Sequence, residues 1–218
     1  MQSTTQTARL WLGTGAALLT AALIFHGPPD PDLNVQLHHI ADGSNRWAIV
    51  HWTAAVALFL MSGGAFLMLL GRAAGEAVAG HPGAWMVMAL GALTTFTTAV
   101  SEAAVVSVAA NAGDQAAFDT WWAFSGGMAN GFFALGIASG LIASFDLRAD
   151  ARELPKWVSG IGAAAGFLSA FGWSLGEHFG IRIGGPIWLI STVIMCVWLV
   201  SFSFAGLAAA SKTHKVAV

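Results

Sequence analysis

The chain has 218 residues, of which 56% are hydrophobic and only 9% are charged, and its net charge is −2. Soluble domains carry about 25% charged residues. A chain this poor in charge cannot cover a water-exposed surface, so lipid must be its solvent and the bilayer its first partner. The small negative net charge argues against nucleic acid as a partner. The single cysteine, Cys196, excludes an intrachain disulfide and any multi-cysteine metal site.

Six apolar segments dominate the chain. Each is long enough to cross about 30 Å of hydrocarbon at about 1.5 Å per helical residue. They predict an all-α fold, a polytopic bundle of six transmembrane helices in a single membrane domain over residues 1–218. The predicted spans cover roughly residues 9–26, 47–71, 84–109, 118–145, 157–179 and 184–209. Turn-rich or charged segments separate them.

The basic residues predict the orientation of these spans. Lysine and arginine concentrate on the cytoplasmic side of membrane proteins. Arg46 and Arg182 fall at one set of span ends, and seven others fall at the opposite set: Arg9, Arg72, Arg148, Arg152, Lys156, Lys212 and Lys215. This bias predicts a multi-pass cell-membrane protein with both termini in the cytoplasm. No small-x-small cleavage motif follows the first span, so we interpret that span as a retained helix.

A weak internal repeat runs through the chain. Gly91 and Glu102 are eleven residues apart, as are Gly166 and Glu177, and a similar segment ends at His26. The repeat period of about 75 residues predicts three tandem helical hairpins of the same orientation, related by an axis along the membrane normal.

The third span carries a polar track. Thr94, Thr98 and Glu102 are four residues apart and therefore share one helix face. An ionisable residue within a span is by default a functional-site hypothesis, and Glu177 occupies the matching position of the fifth span. The alternative is that the hydroxyls bond to carbonyls one turn earlier and that Glu102 lies at the water boundary.

Three histidines lie near the predicted outer ends of the spans. Neutral imidazole is a common ligand of metals and of haem iron. His51 and His178 form the pair that we would test first for haem, whereas His26, Glu102 and Glu177 could share a divalent ion. The cofactor therefore stays open between haem, a divalent metal and none, because interfacial histidines are also often simply hydrated.

The first linker is open to two interpretations, a solvated loop and a short helix that lies on the membrane. Its segment NVQLHHIADG carries a partial apolar set in Val35, Leu37 and Ile40. We expect it to fold over the outer mouth of the bundle and to bring a polar group towards the span ends: His38, His39 and Asp42. The alternative is a solvated loop.

Glycines four residues apart mark surfaces where helices approach closely. Small residues at this spacing let two backbones come together in lipid. One stripe lies on the fifth span and another on the fourth: Gly172, Gly176 and Gly180, and Gly127 and Gly131. The stripes serve packing within the bundle, and contact with a second copy or with other membrane subunits stays open.

Three functional hypotheses follow from these patterns. The first is an outward-facing pocket of histidine and glutamate that binds a metal ion, haem or a small ligand. The second is a proton-coupled carrier or channel that uses Glu102 and Glu177. The third is a structural subunit of a larger membrane complex. No lysine lies inside a span and no C-x-x-C motif occurs, which excludes a retinal Schiff base and two-cysteine thiol chemistry.

Overall fold

The computed structural model describes residues 3–27, 30, 32–76, 80–150 and 152–216, and side chains as far as Ala208. This part of the chain is helical and contains no strand. Two helices are interrupted or extended by a π-helical turn, here called π1 and π2. The elements are α1 (Thr4–His26), α2 (Leu33–Asp42), α3 (Ser44–Ala73), α4 (Pro82–Ser101), π1 (Glu102–Val106), α5 (Ser107–Ala112), α6 (Gln115–Met128), α7 (Gly131–Arg148), α8 (Lys156–Trp173), π2 (Ser174–His178) and α9 (Gly184–Val216).

The predicted all-α fold with six long apolar helices is confirmed. Six stretches are long and apolar enough to cross a membrane: Thr4–His26, Ser44–Ala73, Pro82–Ala112, Gln115–Arg148, Lys156–His178 and Gly184–Ala208. Several helices begin earlier than predicted because polar residues cap them. Ser3 caps α1 and Asp114 caps α6, each by accepting a hydrogen bond from a backbone N–H of the first turn.

The spans form a closed ring in which each packs against its neighbours in sequence. α1 packs against α3 and α9, α4 joins α3 to α7, and α8 joins α7 to α9. Contacts also cross the ring, because the buried rings of Trp85 in α4 and Phe202 in α9 have centroids 6.4 Å apart. This order is compatible with three tandem hairpins. We call the end where α1 begins the N-terminal end, and the end that carries α2 the α2 end.

Two of the predicted glycine positions allow backbones to come very close. An ideal Cβ on Gly131 of α7 would lie 2.4 Å from the carbonyl oxygen of Gly91 in α4. One on Gly172 of α8 would lie 2.4 Å from the backbone nitrogen of Trp188 in α9. Gly176 makes a looser contact, since its Cβ would lie 3.4 Å from the nearest atom. Glycine at 131 and 172 is therefore required by space, as expected of small residues between helices.

Two other positions of the predicted stripes do not pack. Ideal Cβ atoms on Gly127 and Gly180 would have no described atom within 4 Å. Gly127 lies at the end of α6, where the fourth span breaks, and it faces away from the neighbouring helices. Gly180 follows π2 in a turn and has φ +64°, so its role is to adopt a left-handed conformation that other residues resist.

A partly buried ion pair lies at the N-terminal end. Arg9 of α1 is buried and pairs with Glu153, in the segment between α7 and α8. Its guanidinium also donates to the carbonyl of Phe202, at 3.3 Å, and lies 5.2 Å from the centroid of that ring. An ideal Cβ on Gly206 would lie 1.8 Å from this guanidinium. Arg9 therefore joins α1, the segment between α7 and α8, and α9. The sequence alone indicates only a positive charge at the end of a span.

The start of α1 is capped from a distance by a carboxylate. Glu76 lies beyond the end of α3 and accepts hydrogen bonds from the backbone N–H groups of Thr4, at 3.1 Å, and Thr5, at 2.8 Å. The Thr5 hydroxyl donates to the same carboxylate. The hydrogen bond from this hydroxyl, followed by those from the backbone, lowers the pKa of Glu76 below its ordinary value of 4.5. A negative charge at a helix N-terminus is stabilising.

Replacing Glu76 with glutamine is expected to lower the melting temperature at neutral pH. A carboxyl group whose pKa is lowered by folding contributes stability above its unfolded pKa and loses it as the pH falls through the folded value. The wild-type chain should therefore lose stability as the pH falls below about 4.5, and the variant should lose less over that range. Thermal unfolding in detergent at several pH values measures this difference, and Asp150→Asn, at an exposed loop position of the same end, is the control.

The α2 end is covered by a second, smaller apolar cluster, here called the cap cluster. It consists of Leu37, Ile40, Trp47, Val106, Ala109, Ala110 and Phe118. Leu37 and Ile40 are its contribution from α2, so the first linker forms a short helix over this end of the bundle and not a solvated loop. Val35 lies half exposed on the opposite face of α2, because a period of about 3.6 residues cannot place 35, 37 and 40 on the same side.

Candidate functional site

A layer of polar side chains lies between the main apolar core and the cap cluster. On α3, His51 lies between Trp47 of the cap cluster and Ala55 of the main core. On α4 and π1, Glu102 lies between Ala99 of the core and Val106 of the cap cluster. These two residues, with Ser125 of α6 and His26 of α1, form what we call the polar layer. Apolar side chains of the two clusters therefore flank Glu102 and His51 on both sides along the bundle.

Glu102 is the centre of the polar layer and is only 7% exposed. Its Oε1 accepts a hydrogen bond from the hydroxyl of Ser125 at 2.6 Å. Its Oε2 lies 3.6 Å from Nε2 of His51 and has no hydrogen bond to any described residue. The indole nitrogen of Trp47 faces the same carboxyl group outside hydrogen-bonding geometry. One carboxyl oxygen is thus anchored by Ser125, and the other faces His51 without a hydrogen bond.

His51 is held in one orientation and one tautomer. Its Nδ1 lies 2.9 Å from the carbonyl oxygen of Trp47, and a carbonyl can only accept, so Nδ1 carries a hydrogen. In the neutral ring Nε2 is then the unprotonated nitrogen, and this is the atom that faces Glu102. The ring packs against Trp47 and His26, with centroid distances of 4.4 Å and 4.9 Å. The aromatic neighbours therefore fix the proton-accepting nitrogen towards the carboxyl group.

His26 closes the layer on the side of α1. Its Nδ1 lies 2.6 Å from the carbonyl oxygen of Gly27, and its ring centroid is 4.8 Å from that of Trp47. The carbonyl again requires the hydrogen on Nδ1. His26 thus supports His51 by ring contact, and its own Nε2 is the unprotonated nitrogen of the neutral ring.

The local backbone at the site is irregular on two helices. π1 begins at Glu102, and single π-helical turns occur frequently at functional sites. The fourth span breaks between α6 and α7, with Ser125 in the last turn of α6. The Thr98 hydroxyl donates to the carbonyl of Ser125 at 2.9 Å. Two side chains of the third span, Thr98 and Glu102, therefore hold the end of the half-helix α6.

Ser125 is the site residue that the sequence analysis missed. A serine in a long apolar span carries no signal by itself, because it usually bonds to its own helix. The signal that could have found it is the segment SGGMAN over residues 125–130. Its two glycines and an asparagine in the middle of a predicted span indicate a break in the helix.

The predicted polar track divides in two. Thr98 and Glu102 converge on Ser125, whereas the hydroxyl of Thr94 bonds to the carbonyl of Leu90 in its own helix at 2.8 Å. Glu177 is exposed in π2, and its Oε1 would lie 3.8 Å from an ideal Cβ on Gly126. Glu102 and Glu177 thus approach consecutive residues of α6, one from the buried side and one from the exposed side.

The histidine pair predicted for haem is not brought together. His178 is exposed in π2, whereas both ring nitrogens of His51 are directed at groups within the polar layer, Nδ1 at Trp47 and Nε2 at Glu102. Among the residues that the structure describes, no group of three His, Cys, Asp or Glu side chains could hold a metal ion. The haem and metal predictions therefore gain no support from the geometry.

The three polar residues predicted to approach the span ends face away from them. With Asn34 and Val35, they line a shallow open groove on the far side of α2: His38, His39 and Asp42. The reason is the helical period, which turns residues 38, 39 and 42 outward once Leu37 and Ile40 occupy the inward face. Nδ1 of His38 lies 2.7 Å from the carbonyl of Asn34 in the same helix.

Replacing Ser125 with alanine is expected to destabilise the protein by about 1–3 kcal/mol, because it leaves a buried carboxyl oxygen without its donor. The matched control is Ser144→Ala in α7, whose hydroxyl bonds only to the carbonyl of Gly140 in its own helix. Unfolding of both variants in detergent measures the difference. Equal stability of the two would mean that the Ser125–Glu102 hydrogen bond contributes little.

The chain matches no family model, and neither the curated proteins nor the solved structures include one that is similar to it.

Proposed function

We propose that the chain is a multi-pass membrane protein that binds a proton in the polar layer and couples this binding to transport, as a proton-coupled carrier or channel. One observation carries the proposal. The free Oε2 of Glu102 faces the unprotonated Nε2 of His51 at 3.6 Å, within a layer covered by apolar side chains. An ionisable pair in such a place is expensive to maintain, and it marks proton relays in membrane proteins.

One proton satisfies this pair in two ways. It can reside on Oε2 of Glu102 next to a neutral imidazole, or on Nε2 of His51 next to a carboxylate. Both arrangements keep the net charge of the pair at zero, which avoids an unpaired charge in an apolar environment. Addition or removal of a proton leaves one net charge there. Such a charged state favours a rearrangement that admits water, and this links proton binding to a conformational change.

The break in the fourth span, next to Glu102 and His51, could allow such a conformational change. Transporters often place their sites at discontinuous helices, where irregular backbone is tolerated because it is buried or lines a cavity. Here the fourth span breaks after α6, and the end of α6 contacts both Glu102 and the vicinity of Glu177. We assign Glu102 as the proton-binding carboxyl and Glu177 as the carboxylate from which protons reach it. The positive-inside rule places Glu177 on the outer side.

The two other hypotheses account for less. Haem or metal binding at His51 would need space in front of Nε2, and the carboxyl group of Glu102 lies there at 3.6 Å. A structural subunit would account for the exposed apolar side chains, but every membrane protein exposes such side chains to lipid. It gives no reason for a buried carboxyl group with one unpaired oxygen.

Infrared difference spectroscopy of the purified protein tests proton binding without knowledge of any substrate. Spectra are compared between about pH 5 and pH 8, the range around the operating pH in which a proton-transfer group is expected to titrate. We expect a carboxyl C=O band that changes with pH, is absent from Glu102→Gln and is retained in Glu177→Gln. A spectrum in which Glu102→Gln removes no band would reject Glu102 as the proton-binding group.

A further inference from the structure

Two buried nitrogen atoms face the carboxyl group of Glu102 without a direct hydrogen bond to its Oε2. The three atoms of interest are Oε2 of Glu102, the indole Nε1 of Trp47 and Nε2 of His51. The first two have no hydrogen bond within the described part of the chain, and the third lies 3.6 Å from the first, beyond the usual range. The three side chains are 7%, 6% and 6% exposed. Buried polar atoms normally have a partner, so this convergence points to a bound group.

The hydrogen-bonding character of the three atoms defines that group. One proton is shared by the pair, so either Oε2 of Glu102 or Nε2 of His51 donates and the other of these two atoms accepts. The indole N–H can only donate. The ligand must therefore accept two hydrogen bonds and donate one. An ammonium ion cannot accept and a carbonyl oxygen cannot donate, whereas water and hydroxyl groups do both, and buried waters typically make about three such bonds.

The distance between Oε2 of Glu102 and Nε2 of His51 suits a single water molecule. An oxygen atom at about 2.8 Å from both atoms is within normal hydrogen-bond length of each. Because the two atoms are 3.6 Å apart, they would subtend an angle of roughly 80° at that oxygen. A larger ligand would have to separate Glu102 from His51, which Ser125 and the aromatic contacts hold in place.

We propose that a single water molecule is bound between Trp47, His51 and Glu102 and connects the carboxyl group to the imidazole. The site itself follows from the three atoms, whereas its role in proton transfer rests on the proposed function. In that role the O–H bond of Glu102 breaks as the water accepts its proton. The water then gives a different proton to Nε2 of His51. The products are a carboxylate, an imidazolium and a regenerated water molecule.

The O–H stretching band of a bound water provides the test, because it shifts when the solvent is changed to water labelled with oxygen-18. We expect the wild-type protein to show such a band among the pH-dependent infrared changes. The band should disappear in Trp47→Phe, which removes the donor and keeps an aromatic ring over His51. Trp188→Phe is the matched control, since its buried indole N–H also has no hydrogen bond to a described residue but lies outside the layer.

An experimental structure that resolves ordered waters is a second test of the bound water, and it needs no variant. A density peak at about 2.6–3.2 Å from all three atoms supports the proposal. It is overturned if Glu102 and His51 instead meet directly with no peak between them, or if no oxygen-18 shift occurs in the wild type. The two infrared bands test the two proposals separately. If the water band is present but the Glu102 carboxyl band is absent, the bound water is supported and proton binding by Glu102 is rejected. If only the carboxyl band is present, the bound water alone is rejected.

Discussion

Glu102→Gln is expected to reduce proton flux by about 100-fold or more, the size of effect that a positioned proton-transfer group typically contributes. Glutamine has the shape of glutamate, and its amide oxygen can still accept the hydrogen bond from Ser125. Its amide nitrogen cannot take up or release a proton near neutral pH, so the exchange with His51 stops. The measurement is proton uptake into liposomes that contain the purified protein and a trapped pH-sensitive dye, under an imposed membrane potential.

Glu177→Gln is the matched control for this experiment. Glu177 is exposed in π2, so water can replace it as a proton source, and we expect slower uptake but not its loss. Both variants should be shown to be folded by their unfolding temperatures. Equal flux in folded Glu102→Gln and wild-type protein would contradict the role of Glu102. Equal loss in the two variants would mean that Glu177 is as essential as Glu102.

Gly131→Ala is expected to destabilise the protein by about 1–3 kcal/mol or more, since an added methyl group in a tightly packed interior forces backbone shifts. The ideal Cβ would lie 2.2 Å from Oγ1 of Thr95 and 2.4 Å from the carbonyl oxygen of Gly91. Both belong to α4, and the backbone oxygen cannot move aside without moving the helix. Because α4 leads directly into π1, the same shift should disturb Glu102. Thermal unfolding in detergent and proton uptake measure the two effects.

Gly127→Ala, four residues earlier in the same glycine stripe, is expected to stabilise the protein. Its Cβ would have no described atom within 4 Å, and Gly127 lies within α6. Glycine to alanine at a compatible helical position stabilises by about 0.4–1 kcal/mol, chiefly through the unfolded state. If both variants are destabilised equally, the effect arises from loss of chain freedom at this break and not from the contact between α4 and α7.

The sequence identified Glu102 but could not assign its surroundings. An acidic residue in an apolar helix is costly wherever it lies, so its presence alone marks a candidate site. Its partners come from α3 and α6, and they depend on which helix faces meet across the ring. The sequence suggests His51 and His178 as a pair because both lie near predicted outer span ends. The depth of a residue in the membrane does not tell which of the other helices in the ring it faces.

The sequence also could not decide which of the regularly spaced glycines contact another helix. Gly127 and Gly131 have the same residue type and the spacing that brings two helices together, yet only Gly131 lies against another backbone. The difference arises because the fourth span breaks between them. Residues four apart share one face only within a continuous helix, and α6 ends at Met128, between the two glycines.

Composition and apolar run length by themselves determined the class of this protein and its six long helices. These properties depend on the transfer of each segment from water to lipid, which is a local quantity. They did not decide between a loop and a helix for the first linker, because the predicted apolar set of Val35, Leu37 and Ile40 does not lie on one helix face. The tertiary structure alone decided that Ser125, His51 and Trp47 surround Glu102, that Arg9 joins three segments, and that His38, His39 and Asp42 face outward. These are contacts between residues far apart in the chain, and they follow from how the helices pack around the ring.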